Sequence, residues 1–393
     1  MQDRLRERPK FLRFFGLELR GWNICRKLLF QDGRMRKMDP HFLRDANEVI
    51  DALAGSVAKF SGKKVLITGG AGFLGSHFAH FFCQLNERGM LDKPCHLSIW
   101  DNFSRGVPGW LKGLSSRPGF EIASVDIRRP QKRHKVDFLI HAASIASPIF
   151  YRKHPIETMD ANVTGLRLLL DSTLEMPVES MLFFSTSEIY GDPDPHSIPT
   201  PETYRGNVSC TGPRACYDES KRYGETLCVN FHRVHRTPVK IVRPFNNYGP
   251  GLKITDGRVI PDFFRDVLAA RDIALLSDGR ATRTFCYVSD AITGYLQSLL
   301  SSHEGESFNI GTEEPEITMH DLASLVISIS GKNLQIRFAS SQDPHYGTDN
   351  PVRRCPAIQK AKQLLGYSPR ISLEEGMART HLFYLDNPTG SIN

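Results

Sequence analysis

Short apolar runs alternate with amphipathic stretches along the chain from residue 64 to residue 243. Apolar residues at three- to four-residue spacing follow some of these runs, most clearly at residues 77–85 and 161–176. Strands that alternate with helices predict an α/β fold with a doubly wound parallel sheet. The runs that read as buried strands are residues 64–68, 96–100, 121–125, 137–140, 180–184 and 240–243.

Weaker patterns flank this region. Asp39 and Pro40 are typical of a helix start, and apolar residues at helical spacing from residue 42 to residue 57 predict a helix that docks on the main domain. After residue 245 the periodicity loosens, which indicates a smaller substrate-binding lobe. The predicted division is a basic helical extension at residues 1–60, a main domain at residues 61–245, and a lobe formed mainly by residues 246–393.

Composition excludes several classes of protein. The 393 residues are 40% hydrophobic and 24% charged, as in a soluble globular protein, and no run of 18 apolar residues is present to span a membrane. The net charge is +7, but residues 1–50 carry 12 Lys and Arg against 7 Asp and Glu, so the remainder is nearly neutral. We therefore expect no nucleic-acid partner.

The eight cysteines lack metal-ligand spacing, so we expect no metal, no disulfide framework and a cytoplasmic setting.

The basic segment at residues 1–38 mixes Arg and Lys with large apolar side chains. Its apolar stretches are too short for a signal peptide. Such a segment can make peripheral contact with an anionic membrane, or it can form a helical arm that packs on its own domain or on a second subunit. We favour the packed arm and keep membrane contact as the alternative.

The turn between the first strand and its helix is rich in glycine. Gly69, Gly72 and Gly75 give the spacing G-x-x-G-x-x-G, and Phe73 and Leu74 open the helix. Strand, glycine turn and helix in this order form the dinucleotide-binding fingerprint of Rossmann folds, in which the backbone approaches a pyrophosphate at the helix N-terminus. We therefore predict that the main domain binds a dinucleotide through these residues.

Residues at the ends of the following strands fit the same ligand. Asp101 and Asn102 follow the second strand, where a carboxylate accepts hydrogen bonds from the adenosine ribose and repels a 2′-phosphate. This favours NAD over NADP, although Arg105 weakens the preference slightly. His141 ends the fourth strand, and we expect it to be structural. Because strand ends face the ligand crevice in such sheets, the predicted cofactor set also includes Asp126, Ile127, Ala142 and Ala143.

A tyrosine and a lysine four residues apart, Tyr217 and Lys221, supply the candidate chemistry. On a helix this spacing places both side chains on one face. A phenol has a pKa near 10, and a neighbouring ammonium group lowers it. The pair can then take a proton from a hydroxyl while a dinucleotide takes the hydride. Thr186 and Glu188 follow another strand, so we expect them at the same edge of the sheet.

Arginines in the C-terminal lobe are candidates for binding an anion. Arg283 stands in the run Thr-Arg-Thr-Phe-Cys-Tyr at residues 282–287, and Arg353 and Arg354 stand side by side. A diphosphate favours guanidinium groups, which donate two hydrogen bonds in a fixed geometry. For Arg353 and Arg354, surface charge remains the alternative interpretation.

Several longer segments resemble those of the extended short-chain dehydrogenase/reductase family, which acts on nucleotide sugars. The likeness covers about residues 62–380 and looks most like the UDP-glucuronate decarboxylases, which form UDP-xylose. Two segments are more specific to this group than the Tyr217 and Lys221 pair, which marks only the wider superfamily. They are Ser-Thr-Ser-Glu-Ile-Tyr-Gly-Asp-Pro at residues 185–193 and Gly-Pro-Arg-Ala-Cys-Tyr-Asp-Glu-Ser-Lys-Arg at residues 212–222. The likeness continues at residues 146–148, Tyr151, residues 155–156, Asn162, His196, residues 256–259 and residues 282–288.

The resemblance implies a role for each candidate. Tyr217 with Lys221 takes the O4 proton while hydride passes from C4 to NAD; the 4-ketone then promotes loss of CO2, and hydride return restores NAD. Thr186 and Glu188 orient hydroxyls and manage protons, and Arg283 binds the diphosphate or supplies a proton. The resemblance also implies a homodimer and a nucleotide-sugar substrate, UDP-glucuronate. The implied substrate-binding residues are Tyr151, Asn246, Arg258, Arg283 and Tyr287.

Other functions stay open. A 4,6-dehydratase typically has an Asp before Glu188 to expel the O6 hydroxyl, whereas this chain has Ser187, and sugar 4-epimerases usually lack the Glu. A non-catalytic NAD-binding scaffold is a remote alternative, which the intact Thr186, Tyr217 and Lys221 oppose. Positions where the chain departs from the decarboxylases, and where sugar specificity is decided, are Asp160, residues 207–212 and residues 251–252.

Overall fold

The computed structural model of the chain describes residues 38–131, 135–341, 345–388 and 390. The basic arm predicted at residues 1–38 therefore lies, apart from Met38, outside the described residues. Among the helices of the described ranges, none is both long enough and apolar enough to cross a bilayer.

Strands and helices alternate along the described chain. The strands are β1 (Lys64–Thr68), β2 (His96–Asp101), β3 (Phe120–Ser124), β4 (Phe138–His141), β5 (Ser180–Phe184), β6 (Val239–Pro244), β7 (Asn247–Tyr248), β8 (Ile273–Leu275), β9 (Thr282–Arg283), β10 (Cys286–Tyr287), β11 (Ser307–Ile310), β12 (Ile317–Thr318), β13 (Ile336–Phe338) and β14 (Arg353–Arg354). The α-helices are α1 (Pro40–Leu53), α2 (Phe73–Glu87), α3 (Gly109–Leu114), α4 (Pro148–Lys153), α5 (Pro155–Asp160), α6 (Leu166–Glu175), α7 (Ala215–His235), α8 (Val259–Leu268), α9 (Val288–Leu300), α10 (Met319–Ser330), α11 (Gln359–Leu365) and α12 (Leu373–Asp386).

The central sheet has seven strands in the order β3-β2-β1-β4-β5-β6-β11, and every pairing in it is parallel. The strand order reverses between β1 and β4, which is the point where doubly wound sheets bind their ligands. The predicted fold class is therefore confirmed. The six strands predicted from the sequence occur at positions that agree to within one residue at each end.

Both faces of the central part of the sheet are covered, which explains why β4 and β5 are almost entirely apolar. β4 and β5 are buried along their whole length, as expected of parallel strands between two helical layers. One core includes Phe78 of α2 and Tyr295 of α9. The other core includes Leu170 of α6 and Phe231 of α7. Before α6 the chain makes a π-helical turn at Ala161–Gly165, within the helix predicted at residues 161–176.

The C-terminal part of the chain forms smaller sheets and also completes the large one. β7 pairs with β10, β8 with β13, and β9 lies between β12 and β14. β11 adds to the edge of the main sheet beside β6, which the loosened periodicity after residue 245 did not reveal. The predicted boundaries at residues 60 and 245 stay predictions.

Helix α1 docks on the main domain, as predicted. Asp39 caps its N-terminus by accepting a hydrogen bond from the His41 backbone N–H at 2.9 Å, and Pro40 occupies the first turn. Phe42 stacks on His77 of α2 at a ring distance of 4.5 Å, and Ile50 is fully buried. The helix is therefore part of the same core as the helix that follows the glycine turn.

Candidate active site

The glycine turn lies tightly over the end of β4. Gly69 has φ +75°, and a Cβ there would lie 2.6 Å from the backbone N of Ala143. A Cβ at Gly75 would lie 2.5 Å from the carbonyl oxygen of Gly69. Side chains at these two positions are therefore excluded, and the turn keeps the close backbone approach that a pyrophosphate needs.

Helix α2 begins directly after this turn. Its N-cap residue is Gly72, which has no side chain to bond the first N–H groups of the helix, so those of Phe73 and Leu74 are suited to a phosphate. The residues present thus fit a dinucleotide, with Ala142 and Ala143 beneath the turn.

Asp101 stands beside the glycine turn. Its Oδ2 accepts a hydrogen bond from the Ala71 N–H at 3.0 Å, and its Oδ1 accepts one from the Phe103 N–H at 2.8 Å. Burial raises the pKa of Asp101 above its usual value. Arg105 is directed elsewhere: its guanidinium lies 3.9 Å above the Phe150 ring and 3.3 Å from Asp256. This removes the reservation that Arg105 placed on NAD.

The other predicted cofactor residues lie near the same edge. Asn102 Oδ1 accepts from the Ser104 N–H at 3.0 Å. Asp126 accepts from Arg128 Nη2 at 2.7 Å, and hydrogen bonds from Arg128 hold its pKa below the usual range. Ile127 is buried. These positions are compatible with cofactor contact, which stays a prediction.

His141 at the end of β4 is buried. Its Nδ1 lies 2.8 Å from Thr68 Oγ1, and burial lowers its pKa to about 3. A neutral, buried imidazole bonded to a core threonine fits the structural role that we predicted for it.

The structure brings together Thr186, Tyr217 and Lys221. The two α7 residues lie one turn apart and are buried. Lys221 Nζ donates to the Phe184 carbonyl at 2.7 Å, and Thr186 is near enough to the Tyr217 hydroxyl to lower its pKa. The Tyr217 ring stacks on that of Tyr151 at 5.1 Å with an interplanar angle of 6°. The end of β5 thus meets the N-terminal half of α7, as the sequence predicts.

The predicted lowering of the phenol pKa is wrong for the chain alone. Burial raises the pKa of Tyr217 to about 12, even though Thr186 lowers it. Burial also lowers the pKa of Lys221 to about 7. The Lys221 ammonium is directed at a carbonyl and lies 5.8 Å from the Tyr217 ring centre. Tyr217 is therefore a protonated hydroxyl, and Lys221 titrates near neutral pH.

Glu188 is held between two arginines. It lies in the 3-10 helix Ser187–Tyr190, where Arg214 donates to Oε2 and Arg354 donates to both oxygens at 2.6 and 2.5 Å. Burial favours the neutral acid, but the charges of Arg214 and Arg354 outweigh it and hold the pKa of Glu188 well below its usual range. Glu188 is thus a fixed carboxylate and does not donate protons near neutral pH.

Arg354 is a site residue that the sequence left open, and Arg214 was quoted only as part of a motif. β14 pairs in parallel with β9, which sets Arg354 opposite Arg283. Arg353 faces the other way and donates to Glu316 at 2.7 Å. Neighbouring side chains in a strand point to opposite faces. The sequence could therefore have predicted that only one of these two arginines faces the site.

Arg283 is buried beside this cluster but does not touch Glu188 in the described contacts. It donates to the carbonyls of Thr282 at 2.7 Å, Pro351 at 2.5 Å and Val352 at 3.1 Å. Burial lowers the pKa of Arg283 to about 9, so it stays charged at neutral pH. These hydrogen bonds hold the segment before β14 in place. The predicted contact of Arg283 with a diphosphate stays a prediction.

Three of the predicted substrate-binding residues are Tyr151, Arg258 and Asn246. Tyr151 is at the site, and its buried hydroxyl finds no hydrogen-bond partner among the described residues. Arg258 lies 2.9 Å from Asp256, and Asn246 donates to the Thr284 carbonyl at 2.8 Å. Both remain candidates for substrate contact.

Tyr287 requires a correction. Its hydroxyl donates to Asp45 at 3.1 Å and accepts from Arg44 at 3.0 Å, and both partners are on α1. The side chain is buried. Tyr287 therefore anchors α1, and the prediction that it binds substrate is wrong because its polar atom serves that helix.

Comparison with known proteins identifies the family of the chain. Residues 65–311 match the NAD dependent epimerase/dehydratase family. UDP-glucuronic acid decarboxylase 5 of Arabidopsis thaliana is 38% identical over 317 residues, 81% of this chain and 88% of that protein. UDP-glucuronic acid decarboxylase 1 of Xenopus tropicalis is 37% identical over 322 residues, 82% of this chain and 72% of that protein.

A solved structure shows the same fold. The UDP-glucuronic acid 4-epimerase from Bacillus cereus, in complex with UDP-glucuronic acid and NAD, superposes with a TM-score of 0.67 at 26% identity. The superposition covers 82% of this chain and 99% of that one. Together with the glycine turn and the Thr186, Tyr217 and Lys221 cluster, these matches place the chain in the NAD-dependent epimerase/dehydratase family, with NAD as its cofactor.

Proposed function

We propose that this protein converts UDP-glucuronate to UDP-xylose and CO2, with NAD reduced and reoxidised within each turnover. The observation that carries the proposal is the fixed charge of Glu188 beside Ser187. Arg214 and Arg354 hold Glu188 as a carboxylate, and Ser187 is a buried hydroxyl. The two positions that follow Thr186 therefore offer no acidic proton at neutral pH.

This chemistry favours decarboxylation over dehydration. Expulsion of the O6 hydroxyl by a dehydratase needs a general acid, which neither Ser187 nor ionised Glu188 supplies. Decarboxylation needs none at that point, because the electron pair of the C5–C6 bond moves into the C4 ketone as CO2 leaves. The site is therefore better suited to a sugar that bears a carboxylate than to one that bears a 6-hydroxyl.

The side chains have distinct parts in the oxidation at C4. We propose that Tyr217 takes the O4 proton after its own phenol proton has passed to solvent, and that Thr186 lowers the pKa of this phenol. Lys221, one turn away, can stabilise the phenolate only in its protonated form, and its pKa of about 7 makes that form available at neutral pH and below. Bound NAD supplies the hydride acceptor and returns the hydride. Burial of all three side chains excludes water from the exchange.

Charge at the site also favours an acidic sugar. The buried arginines Arg214, Arg283 and Arg354 outnumber the neighbouring carboxyl groups, which are those of buried Asp218 and partly buried Glu188. This chain has Asp160 where the decarboxylases usually have a lysine, so we propose that one of these arginines pairs with the sugar carboxylate instead. The decarboxylases that are 37% and 38% identical to the chain support the same substrate.

Product analysis tests the proposal. Purified protein with catalytic NAD is incubated with UDP-glucuronate, and the products are followed by NMR and CO2 capture. We expect equal amounts of UDP-xylose and CO2, formed at least about a hundredfold more slowly by Tyr217→Phe. Recovery of the C4 epimer or of unchanged UDP-glucuronate would show that decarboxylation is the wrong reaction.

We further propose that the protein is a homodimer. Ile156 and Met159 on α5 are exposed, and so is Tyr223 on the adjoining α7. These side chains offer an apolar surface next to the catalytic helix. Light scattering should give twice the chain mass, and replacing Ile156 by aspartate should give a monomer.

A further inference from the structure

A buried carboxyl group beside Tyr217 has no part in the steps above. Asp218 follows Tyr217 on α7 and is 4% exposed. Its Oδ2 lies 3.8 Å from Nε of Arg214. Neither Asp218 Oδ1 nor Arg214 Nε, both buried, has a hydrogen-bond partner among the residues that the structure describes. A buried carboxyl and a buried guanidinium that face each other without a hydrogen bond form an incomplete pair and need an explanation.

Arg214 connects Asp218 to the site. The same guanidinium donates through Nη2 to Glu188, which also accepts two hydrogen bonds from Arg354. Two carboxyl groups thus share Arg214. When two carboxyl groups share one site, the proton goes to the one whose charge is less well stabilised. Glu188 has two arginines, so the proton goes to Asp218.

The surroundings of Asp218 support this assignment. Burial, followed by repulsion from Glu188, raises the pKa of Asp218 to about 8. Charged and titratable groups from several elements surround Asp218. They are Arg214 at the N-cap of α7, Cys216 and Tyr217 on α7, Glu188 after β5, Tyr151 on α4, Asp349 before β14 and Arg354 on β14.

We propose that Asp218 is a positioning residue that acts through Arg214 and couples the binding of an acidic nucleotide sugar to the uptake of a proton. The inference rests on the proposed function, because its ligand is a sugar with a carboxylate. An anion that enters beside Glu188 adds negative charge near Asp218 and competes for the same arginines. Asp218 therefore holds its proton more tightly in the complex, and by linkage the protonated protein binds the acidic sugar more tightly.

Calorimetry with NAD-loaded Tyr217→Phe tests this coupling, since that variant binds with greatly slowed turnover. UDP-glucuronate is titrated at pH 7 and at pH 9. A carboxyl group with a pKa near 8 that must be protonated in the complex weakens binding about tenfold between these values. Adding Asp218→Asn, which keeps the shape and cannot ionise, removes this tenfold factor and leaves only the pH effect of other groups such as Lys221, whose pKa is about 7. UDP-glucose, which has the diphosphate and lacks the carboxylate, is the matched ligand and shows a smaller difference.

The outcomes separate this inference from the proposed function. An equal pH effect with and without Asp218→Asn overturns the coupling, and so does an equal effect for UDP-glucose. Coupled binding without CO2 release by the unsubstituted protein supports the coupling and overturns decarboxylation. CO2 release without coupled binding supports decarboxylation and overturns the coupling. Failure of UDP-glucuronate to bind at both pH values overturns both.

Thermal unfolding provides a second readout that does not depend on the ligand. Folding raises the pKa of Asp218 from 3.8 to about 8. Between these values the unfolded chain has lost the proton that the folded protein still holds, so the free energy of unfolding falls as pH rises toward 8. Asp218→Asn should therefore raise the melting temperature more at pH 9 than at pH 5. An equal change at both values contradicts the assignment.

Discussion

Replacing Lys221 by methionine should stabilise the NAD-free protein and abolish its activity. Lys221 is buried, and burial lowers its pKa from 10.5 to about 7. Between pH 7 and pH 10.5 the unfolded chain holds a proton that the folded chain has lost, so the free energy of unfolding rises with pH across this window. It is lowest below pH 7, where the folded protein holds a buried ammonium.

The magnitude follows from these pKa values. About 1.4 kcal/mol per pH unit over that window gives about 5 kcal/mol of destabilisation at pH 6. Methionine removes this cost but leaves the Phe184 carbonyl without its 2.7 Å hydrogen bond, which costs about 1–3 kcal/mol. The net gain at pH 6 is therefore about 2–4 kcal/mol, and it should fall by about 3 kcal/mol between pH 6 and pH 9 as Lys221 itself becomes neutral.

Urea unfolding of NAD-free protein at pH 6 and pH 9 measures this difference. The matched control is Lys63→Met, since Lys63 is a surface lysine paired with Glu179; its effect should be small and similar at both pH values. A Lys221→Met protein that is less stable than its parent at pH 6 would refute the reasoning. So would a gain of equal size at both pH values, because it would show that the lysine does not titrate in this range.

Three further substitutions probe the rest of the account. Tyr217→Phe should lower kcat by about 10²–10⁴-fold, the usual contribution of a general base, while calorimetric NAD binding is retained; full activity would exclude Tyr217 as the base. Gly75→Ala should weaken NAD binding at least about tenfold, ~1.4 kcal/mol, since the added Cβ meets the Gly69 carbonyl at 2.5 Å; unchanged affinity would contradict the assigned turn. Ile50→Ala on α1 should cost about 2–5 kcal/mol in urea unfolding, whereas the exposed control Asp51→Ala should cost about 1 kcal/mol or less; equal effects would show that α1 is not part of the core.

The sequence predicts the sheet well because its signals are local. A buried parallel strand is a short apolar run whatever its partners are, so all six predicted strands are present. The glycine turn with Asp101 beside it is recognisable for a similar reason, since its residues are confined to two neighbouring strands. β11 escaped prediction because it joins the sheet from residues 307–310, after the alternation of strands and helices has ended.

The electrostatics of the site were less predictable because they depend on contacts between distant residues. Glu188 and Arg354 are 166 positions apart, so their ion pair leaves no trace in spacing. The phenol pKa was predicted from the one-turn separation of Tyr217 and Lys221, which is correct as geometry. Its direction was wrong because burial, a property of the folded chain, raises the phenol pKa more than Thr186 lowers it, and because the Lys221 ammonium is directed at the Phe184 carbonyl.

Tyr287 illustrates the same limit from another side. Its neighbours in the sequence resemble a substrate-binding segment, but its hydroxyl is bonded to Asp45 on α1, 242 positions away. The nearby Arg283 is directed at the backbone before β14. A motif identifies the residues that surround a site, and only the fold decides which of them face it.

The fate of hydrogen at C4 tests the central claim most directly. UDP-glucuronate that carries deuterium at C4 is incubated with the protein and catalytic NAD in ordinary water, and the product is examined by NMR and mass spectrometry. Oxidation by the Tyr217 and Lys221 site followed by hydride return within the same turnover predicts UDP-xylose that retains deuterium at C4 and gains a solvent proton at C5. A product that has lost the C4 deuterium, or that keeps its C6 carboxylate, would contradict the account.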